Sequence, residues 1–292
     1  MTQTKIIQFD PVQRILNKVG HYLEFKDKFL EDKDTAVSLL LNALKYADNE
    51  LKQKIIILLG SFAKQEVAWP LYKILTNGEE IDEIRYIAAL QLRVIFPVLK
   101  NPQPLIDRLL KDIDSLDTEM RIYAASALGW NGNFQAAIAL TALLFDPDID
   151  VMQAAVSALT DLGDDRILTV LLNLLKHGSV DQKRCILFNL WHLDSRQDEV
   201  LGVYLDFLDD ENAELRYDAL ILLRAVTEPE ECLEAYIRCL NDEDPRIRLL
   251  ALESIGEADK EKIINFKKKI AAMYADPDFE VQAAAKKIMS QL

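Results

Sequence analysis

The stretch DPRIRLLALESIG, residues 244–256, carries the pattern that decides the fold. It starts with Asp244 and Pro245, a helix N-cap residue followed by a proline at the first helical position. Ile247, Ala251 and Ile255 then recur at every fourth position, which places them on one face of an α-helix. The stretches DPDIDVMQAAVSAL (146–159) and DPDFEVQAAA (276–285) repeat this pattern. The chain therefore contains a recurring amphipathic helix.

The recurrence has a period of 31–36 residues, which fits a unit of two helices. The residue that occupies the position of Ile247 is the anchor of each repeat. The eight anchors are Leu51, Ile84, Met120, Val151, Gln182, Leu215, Ile247 and Val281. We predict second helices that begin near residues 49, 82, 118, 149, 180, 213, 245 and 279. We predict first helices at 35–46, 67–77, 104–113, 134–145, 166–177, 198–208, 229–240 and 260–274.

No compositional break divides the chain, so we expect one repeat array over residues 35–292. Residues 1–34 are expected to supply an N-terminal capping helix, because the outer face of a terminal repeat lacks a neighbour.

The positions around the anchors have clear structural roles. Three residues before the anchor, seven of the eight repeats have a good helix N-cap, and Ile81 is the exception. The residues at this position are Asp48, Ile81, Asp117, Asp148, Ser179, Asn212, Asp244 and Asp278. Most residues four and eight positions after the anchor are apolar and should be buried. Gly60, Gly129 and Gly256 follow this stripe, where a left-handed helix end is expected.

The three quoted stretches resemble HEAT repeats of the phycobilisome-lyase type, and the resemblance extends over residues 35–292. It implies an all-α fold, an α-solenoid that winds as a right-handed superhelix of about eight two-helix repeats. It also implies a role for the basic residues that follow most anchors, among them Arg121, Arg216 and Arg248. In HEAT repeats such a residue pairs with the capping Asp of an adjacent repeat. A ladder of these pairs is the expected structural role, and ligand binding is the alternative.

The composition argues against several classes of function. A net charge of −14, from 48 acidic and 34 basic residues, disfavours nucleic acids and anionic membranes as partners. The sequence shows no secretory signal and no apolar run long enough to span a membrane, so we expect a cytoplasmic protein. Cys185, Cys232 and Cys239 lack the paired spacing of a disulfide framework or zinc site, and we expect them to be buried.

The sequence shows no recognisable catalytic motif. His21, His177 and His192 are isolated, whereas the resemblance would associate iron-dependent HEAT hydroxylases with repeated His-Glu pairs. No phosphate-binding loop or dinucleotide-binding motif is present. We therefore expect no catalytic residues, no metal and no cofactor. The alternative, which rests on the resemblance alone, is a bilin chromophore lyase subunit or pigment chaperone.

The second helices of HEAT repeats usually line the concave face, so their positions outside the buried stripe are the candidate binding residues. Aromatic residues and arginine are enriched there, as they are at protein interfaces. The candidates are Tyr86, Arg93, Tyr123, Trp130, Arg184, Trp191, His192, Tyr217 and Arg224. Each of them also has a structural alternative, packing against a neighbouring repeat. The sequence thus predicts a non-enzymatic scaffold or adaptor that binds a protein partner, with a helix or a basic segment as the expected ligand.

Overall fold

The computed structural model describes residues 11–24, 33–130, 133–162, 165–193 and 197–292, which form helices and no β-strand. This result confirms the predicted all-α fold. The chain divides into two compact units, residues 1–162 and 163–292. The first contains repeats 1–4 and the second contains repeats 5–8.

The first unit consists of α-helices joined by short turns and by 3₁₀ segments at Gln65–Val67, Phe96–Val98 and Leu143–Phe145. Its helices are α1 (Pro11–Glu24), α2 (Lys33–Ala43), α3 (Asn49–Ser61), α4 (Ala68–Leu75), α5 (Asp82–Ile95), α6 (Gln103–Asp112), α7 (Thr118–Ala127), α8 (Phe134–Ala142) and α9 (Ile149–Leu162). Helix α1, from the segment expected to cap the array, packs against α2. The rest of that segment, residues 1–10 and 25–32, lies outside the described residues.

The second unit has the same alternation of first and second helices. Its helices are α10 (Asp165–His177), α11 (Val180–Leu187), α12 (Gln197–Phe207), α13 (Ala213–Val226), α14 (Leu233–Cys239), α15 (Pro245–Glu257), α16 (Lys260–Ile263), α17 (Lys267–Ala272) and α18 (Phe279–Met289). Two first helices differ from the prediction. Helix α14 begins at Leu233 rather than near residue 229, and the segment 260–274 is interrupted by the 3₁₀ turn Ile264–Phe266.

Each second helix begins two residues before its anchor, because side chains at the preceding position cap its free N–H groups. Asp48, Asp117, Asp148, Asn212, Asp244 and Asp278 each accept a hydrogen bond from a backbone N–H of the first turn. Ser179 forms a reciprocal capping box with Gln182. Ile81 has the extended backbone of an N-cap but makes no side-chain hydrogen bond.

The core lies where neighbouring second helices pack together. In the first unit α3, α5, α7 and α9 pack in succession, and in the second unit α11, α13, α15 and α18 do the same. The residue four positions after the anchor is completely buried in all eight repeats. These residues are Ile55, Ala88, Ala124, Ala155, Ile186, Ala219, Ala251 and Ala285. Alanine recurs at this position because a small side chain lets adjacent helices approach closely.

The glycines after the buried stripe differ from the prediction. Gly60 and Gly256 lie inside α3 and α15, and Gly60, Gly129 and Gly256 are not left-handed. Glycine suits these positions for another reason, which is lack of space. A Cβ atom at Gly256 would lie 3.3 Å from Ile288, and one at Gly129 would lie 2.8 Å from Arg93. Neighbouring side chains occupy the space that a larger residue would need. Among the non-glycine residues of the described segments, positive φ values occur at Ala63, with 50°, and at Trp130, with 57°.

Candidate functional site

The second unit contains a ladder of ion pairs that links each repeat to the next. Arg216 donates to both carboxylate oxygens of Asp242 at 2.7 and 2.9 Å, and Arg248 donates to both oxygens of Asp276 at 2.8 Å. Lys183 Nζ lies 3.6 Å from an Asp210 oxygen. The Nη1 groups of Arg216 and Arg248 also donate to the backbone carbonyls of Asp210 and Asp242. Each arginine therefore fixes its own turn and that of the next repeat.

The first unit has related links. Arg121 makes the same paired hydrogen bonds to Asp146, at 2.9 and 3.1 Å, and donates to the Ser115 carbonyl. Lys52 donates to both oxygens of Glu80, and Arg85 lies 4.0 Å from Asp117.

Arg85 lies beside the capping Asp of the next repeat, Asp117, as expected, but the partners of Arg121, Arg216 and Arg248 differ from the sequence prediction. In the arginine pairs with Asp146, Asp242 and Asp276, the partner stands two residues before the capping Asp rather than at the cap itself. The cap side chain is already engaged by the first turn of its helix. The preceding Asp accepts the arginine and also the backbone N–H of the cap residue, as Asp276 does from Asp278. This arrangement assigns the basic residues after the anchors to structure.

Three residues from repeats 2–4 form a cluster at the C-terminal ends of the second helices, here called the Arg93 cluster: Arg93, Trp130 and Asp161. The Arg93 guanidinium pairs with Asp161 and lies 5.2 Å from the centre of the Trp130 ring. Burial lowers the pKa of Arg93, and the nearby Tyr86 acts in the opposite direction. Arg93 reaches Asp161 across Gly129, where its side chain occupies the space of a missing Cβ.

Trp130 is the exposed member of this cluster. Its side chain is 46% exposed, and its φ of 57° is unfavourable for a bulky residue by on the order of 1 kcal/mol. The cation–π contact with Arg93 offsets a comparable amount. The geometry therefore holds an accessible indole ring in a fixed position.

The two tyrosine candidates of the first unit have different environments. Tyr86 is exposed, and its ring centre lies 6.4 Å from that of Tyr123. Tyr123 is only 2% exposed, so its expected accessibility is wrong. It is buried because the Arg85 guanidinium lies 4.7 Å from its ring centre, between it and the repeat 2 turn. Burial, together with the carboxylates of Asp82 and Glu119, raises the pKa of Tyr123.

The arginine candidates of the second unit are engaged in ion pairs. Arg184 donates to the buried carboxylate of Asp218 at 2.5 and 3.3 Å. Arg224 pairs with Glu257 and lies 3.6 Å from Glu253. These carboxylates neutralise much of the positive charge that the candidates would present to a ligand.

The aromatic candidates of this unit are dispersed. Tyr217 is half-buried, with the Arg246 guanidinium 5.3 Å from its ring centre. Trp191 is exposed and borders a cavity of about 190 Å³ that Val226 and Leu201 also line. The His192 side chain lies outside the described part of the structure.

The cysteines are buried, as predicted. Burial raises the pKa of the Cys239 thiol to about 12 and also raises that of Cys232, which keeps both thiols protonated at neutral pH. Among the residues that the structure describes, no group of three or more His, Cys, Asp and Glu side chains is arranged to hold a metal ion. Across the same described segments, no helix has the length and apolar character needed to cross a membrane.

The structure reveals a second set of accessible apolar residues that the sequence reasoning missed. They lie in the turns between first and second helices of repeats 1–4. We call this set the turn row: Tyr46, Ile81, Leu116, Phe145 and Ile149. Leu116 is fully exposed and Phe145 is 68% exposed. Comparison of the repeats could have identified them from the sequence. Leu116 occupies the position of Glu211 and Glu243 in repeats 6 and 7, and Phe145 occupies the position of Asp209 and Asn241.

Stacked two-helix repeats, with seven of the eight second helices capped by a side chain and with arginine–aspartate pairs between repeats, define an α-helical repeat protein of the α-solenoid class. Residues 102–186 match the family model for HEAT repeats, which confirms the predicted type of repeat.

The chain also aligns with solved structures. The complex of CpcE and CpcF of phycocyanin lyase from Nostoc sp. PCC7120 aligns at 18% identity and a TM-score of 0.43, over 88% of this chain and 94% of that one. Human deoxyhypusine hydroxylase in complex with glycerol aligns at 17% identity and a TM-score of 0.38, over 80% and 99%. YibA of Escherichia coli aligns at 16% identity and a TM-score of 0.45, over all of both chains. No curated protein matches the sequence.

Proposed function

We propose that this protein is a non-enzymatic scaffold that binds a segment of a partner protein on the exposed face of its second helices. The single observation that carries the proposal is the Arg93 cluster of the first unit. There an exposed tryptophan is held over an arginine that is itself fixed by Asp161.

The cluster has the composition of a binding hot spot. Tryptophan, tyrosine and arginine are the residues that dominate binding energy at protein interfaces. An aromatic side chain that is already fixed in the free protein loses little conformational entropy on binding. Trp130 is thus proposed to contact an apolar side chain of the partner, while Arg93 keeps the indole in place. Tyr86, an exposed residue in the N-terminal part of α5, is proposed as a separate contact.

The proposed roles of the second unit are more limited. Trp191 and its adjacent cavity are proposed as a contact site, whereas Arg184 and Arg224 are proposed to act mainly by positioning neighbouring acids. Tyr217 is proposed to contribute only through its accessible edge. A partner with a basic segment fits the acidic character of the chain, which has a net charge of −14.

The proposal predicts that a photoreactive amino acid in place of Trp130 will crosslink to a defined partner protein in cells. The matched control is the same replacement at Trp69, because Trp69 and Trp130 are 45% and 46% exposed. Trp69 lies in the first helix α4, away from the Arg93 cluster. We expect a discrete crosslinked band from position 130 that is absent from position 69, with the partner identified by mass spectrometry.

A second variant tests whether the band depends on the cluster. Arg93→Met removes the guanidinium that packs against the aromatic ring at position 130, here the ring of the photoreactive amino acid, and it should reduce crosslinking from this position at least about fivefold. Identical products from positions 130 and 69, or no protein product from position 130, would contradict the proposed site.

A further inference from the structure

The geometry points to a second docking site, in which the turn row of the first unit binds a basic segment of a partner protein that carries regularly spaced apolar residues. This site is independent of the Arg93 cluster, because it lies at the opposite, N-terminal ends of the second helices. The inference begins with the apolar residues that these turns leave in contact with water.

The turns themselves do not require apolar residues. Repeats 3, 6 and 7 form the same turn, in which an arginine pairs with the next repeat and donates to two successive backbone carbonyls. Arg121 donates to the carbonyls of Ser115 and Leu116, and Arg216 donates to those of Asp210 and Glu211. Glu211 therefore occupies the place of Leu116 in an equivalent turn. The turn therefore does not need the leucine in order to fold.

Ile81 is a second exposed apolar residue that the fold does not require. It stands at the N-cap position of α5, where the other repeats have Asp, Asn or Ser, and it makes no capping hydrogen bond. An apolar N-cap costs about 1 kcal/mol relative to Asp or Asn. Its side chain is nevertheless exposed, so burial does not compensate for this loss. Repeat 2 thus gives up helix stability to present an isoleucine to solvent.

The members of the turn row belong to turns that are tied together in order. Lys52 joins repeat 1 to Glu80 in the turn of repeat 2, Arg85 reaches Asp117 in repeat 3, and Arg121 holds Asp146 in repeat 4. Packed helices lie about 8–10 Å apart, so apolar side chains recur along this edge at about that interval. A polyproline II segment has three residues per turn and rises about 3.1 Å per residue, so every third side chain lies on one face at intervals of about 9 Å. The row therefore fits a segment with an apolar residue at every third position.

The charge around the row determines the remaining positions of the ligand. Exposed carboxylates flank the apolar side chains, although Lys45 also lies in the first turn. They include Asp48, Asp82, Asp114, Asp117, Glu119 and Asp150. Lysine or arginine between the apolar residues of a ligand would complement them. A second copy of this chain would instead place like charges against each other in a symmetric dimer, which disfavours self-association as the occupant.

The probe is a fluorescein-labelled peptide of about a dozen residues, made of lysine with leucine at every third position. The control peptide has serine in place of leucine. Fluorescence anisotropy should show that the wild-type chain binds the leucine peptide at least about tenfold more tightly than the serine peptide. The affinity should fall as salt is raised, because the carboxylates contribute by charge.

The test variant combines Leu116→Gln, Phe145→Asn and Ile149→Thr. Each new residue is taken from the same position of another repeat. Asn at position 145 follows Asn241, Thr at position 149 follows Thr118, and Gln at position 116 is the uncharged analogue of Glu211. We expect at least about a tenfold rise in the Kd for the leucine peptide. Ile138→Gln is the matched control, since Ile138 is also exposed but lies in the first helix α8. It should change the Kd by less than about twofold.

Three results would overturn the inference: equal peptide affinity of wild type and the triple variant, no preference of the wild type for leucine over serine, or equal losses in the triple variant and Ile138→Gln. A wild-type dimer in sedimentation velocity that the triple variant loses would assign the row to a second copy and would also overturn it. Circular dichroism checks the fold of the triple variant. If the triple variant is unfolded, the single variant Leu116→Gln takes its place in the test. It should raise the Kd for the leucine peptide about threefold.

Discussion

Arg248 and Asp276 show how one charged pair stabilises two repeats. Their side chains are 9% and 4% exposed, and two parallel hydrogen bonds of 2.8 Å join them. Arg248 also donates to the carbonyls of Asp242 and Glu243, while Asp276 accepts from the N–H of Asp278. Because both charged groups are buried, removing one of them leaves the charge of the other uncompensated. The hydrogen bonds from Arg248 lower the pKa of Asp276 below its usual 3.8.

We predict that Asp276→Asn lowers the free energy of unfolding at pH 7 by roughly 2–3 kcal/mol. The lowered pKa fixes the sign of the pH dependence. The carboxylate contributes fully above the unfolded-state pKa of 3.8, and its contribution disappears as pH falls through the lower folded-state value. The stability difference between wild type and variant should therefore shrink below about pH 4. Urea titrations from pH 3 to pH 7 measure it, with the exposed Glu234→Gln as control. A difference that is constant over this range would refute the assignment.

Among the elements, the second helices show most clearly what a cap contributes. Seven of the eight have a side chain that accepts a hydrogen bond from the first turn, and α5 has Ile81 instead. The backbone of Ile81 already has the extended conformation of an N-cap, with φ −68° and ψ 150°. A side chain with an oxygen acceptor would therefore fit without any change in the chain path.

We predict that Ile81→Asp is more stable than Ile81→Ala by about 1 kcal/mol, because aspartate caps α5 and alanine does not. Both variants lose the isoleucine, so their difference isolates the hydrogen bond from the loss of apolar surface. Thermal unfolding at neutral pH measures it. Equal midpoints for the two variants would show that α5 gains nothing from a cap.

The elements that the sequence predicts correctly are those determined by neighbouring residues. A cap such as Asp244 and its following proline act within one helical turn, so adjacent residues are enough to predict the start of α15. The partner of Arg248 is Asp276, 28 residues away, and its identity depends on the shape of a turn that spacing alone does not give. The burial of Tyr123 likewise depends on Arg85 from the preceding repeat. The fold and helix starts were thus accessible, whereas cross-repeat contacts were not.

The same limit applies to the candidate site. The pattern selected Arg93 and Trp130, which the structure brings together, but it gave no reason to select Asp161 or Gly129. Gly129 follows the end of α7, as expected, but it is not left-handed, and its small size leaves room for Arg93. The contribution of these residues to binding stays a prediction.

At the scale of the whole molecule, each unit is stabilised by contacts between neighbouring repeats. In the second unit, Asp242 lies at one such junction, because its carboxylate accepts from Arg216 and its carbonyl accepts from Arg248. In a repeat protein, a defect of this kind spreads to adjacent repeats and weakens with distance.

We predict that Asp242→Asn accelerates amide hydrogen exchange in α13 and α15 but leaves α3 and α5 unchanged. Hydrogen exchange read by mass spectrometry resolves these helices. Asp209→Asn is the control, since its pair with Arg238 is exposed and should contribute little. A uniform acceleration over the whole chain after Asp242→Asn would show that the repeats open as one cooperative body.

The equivalence of the turns in repeats 3, 6 and 7 has a consequence for how such a protein changes over time. The arginine contacts the backbone carbonyls of the turn, and these are the same whichever side chain projects outward. Selection for stability therefore acts on the arginine and its aspartate, while the outward residue is left free to vary. New recognition properties can arise at these positions by single substitutions, with no compensating change in the core.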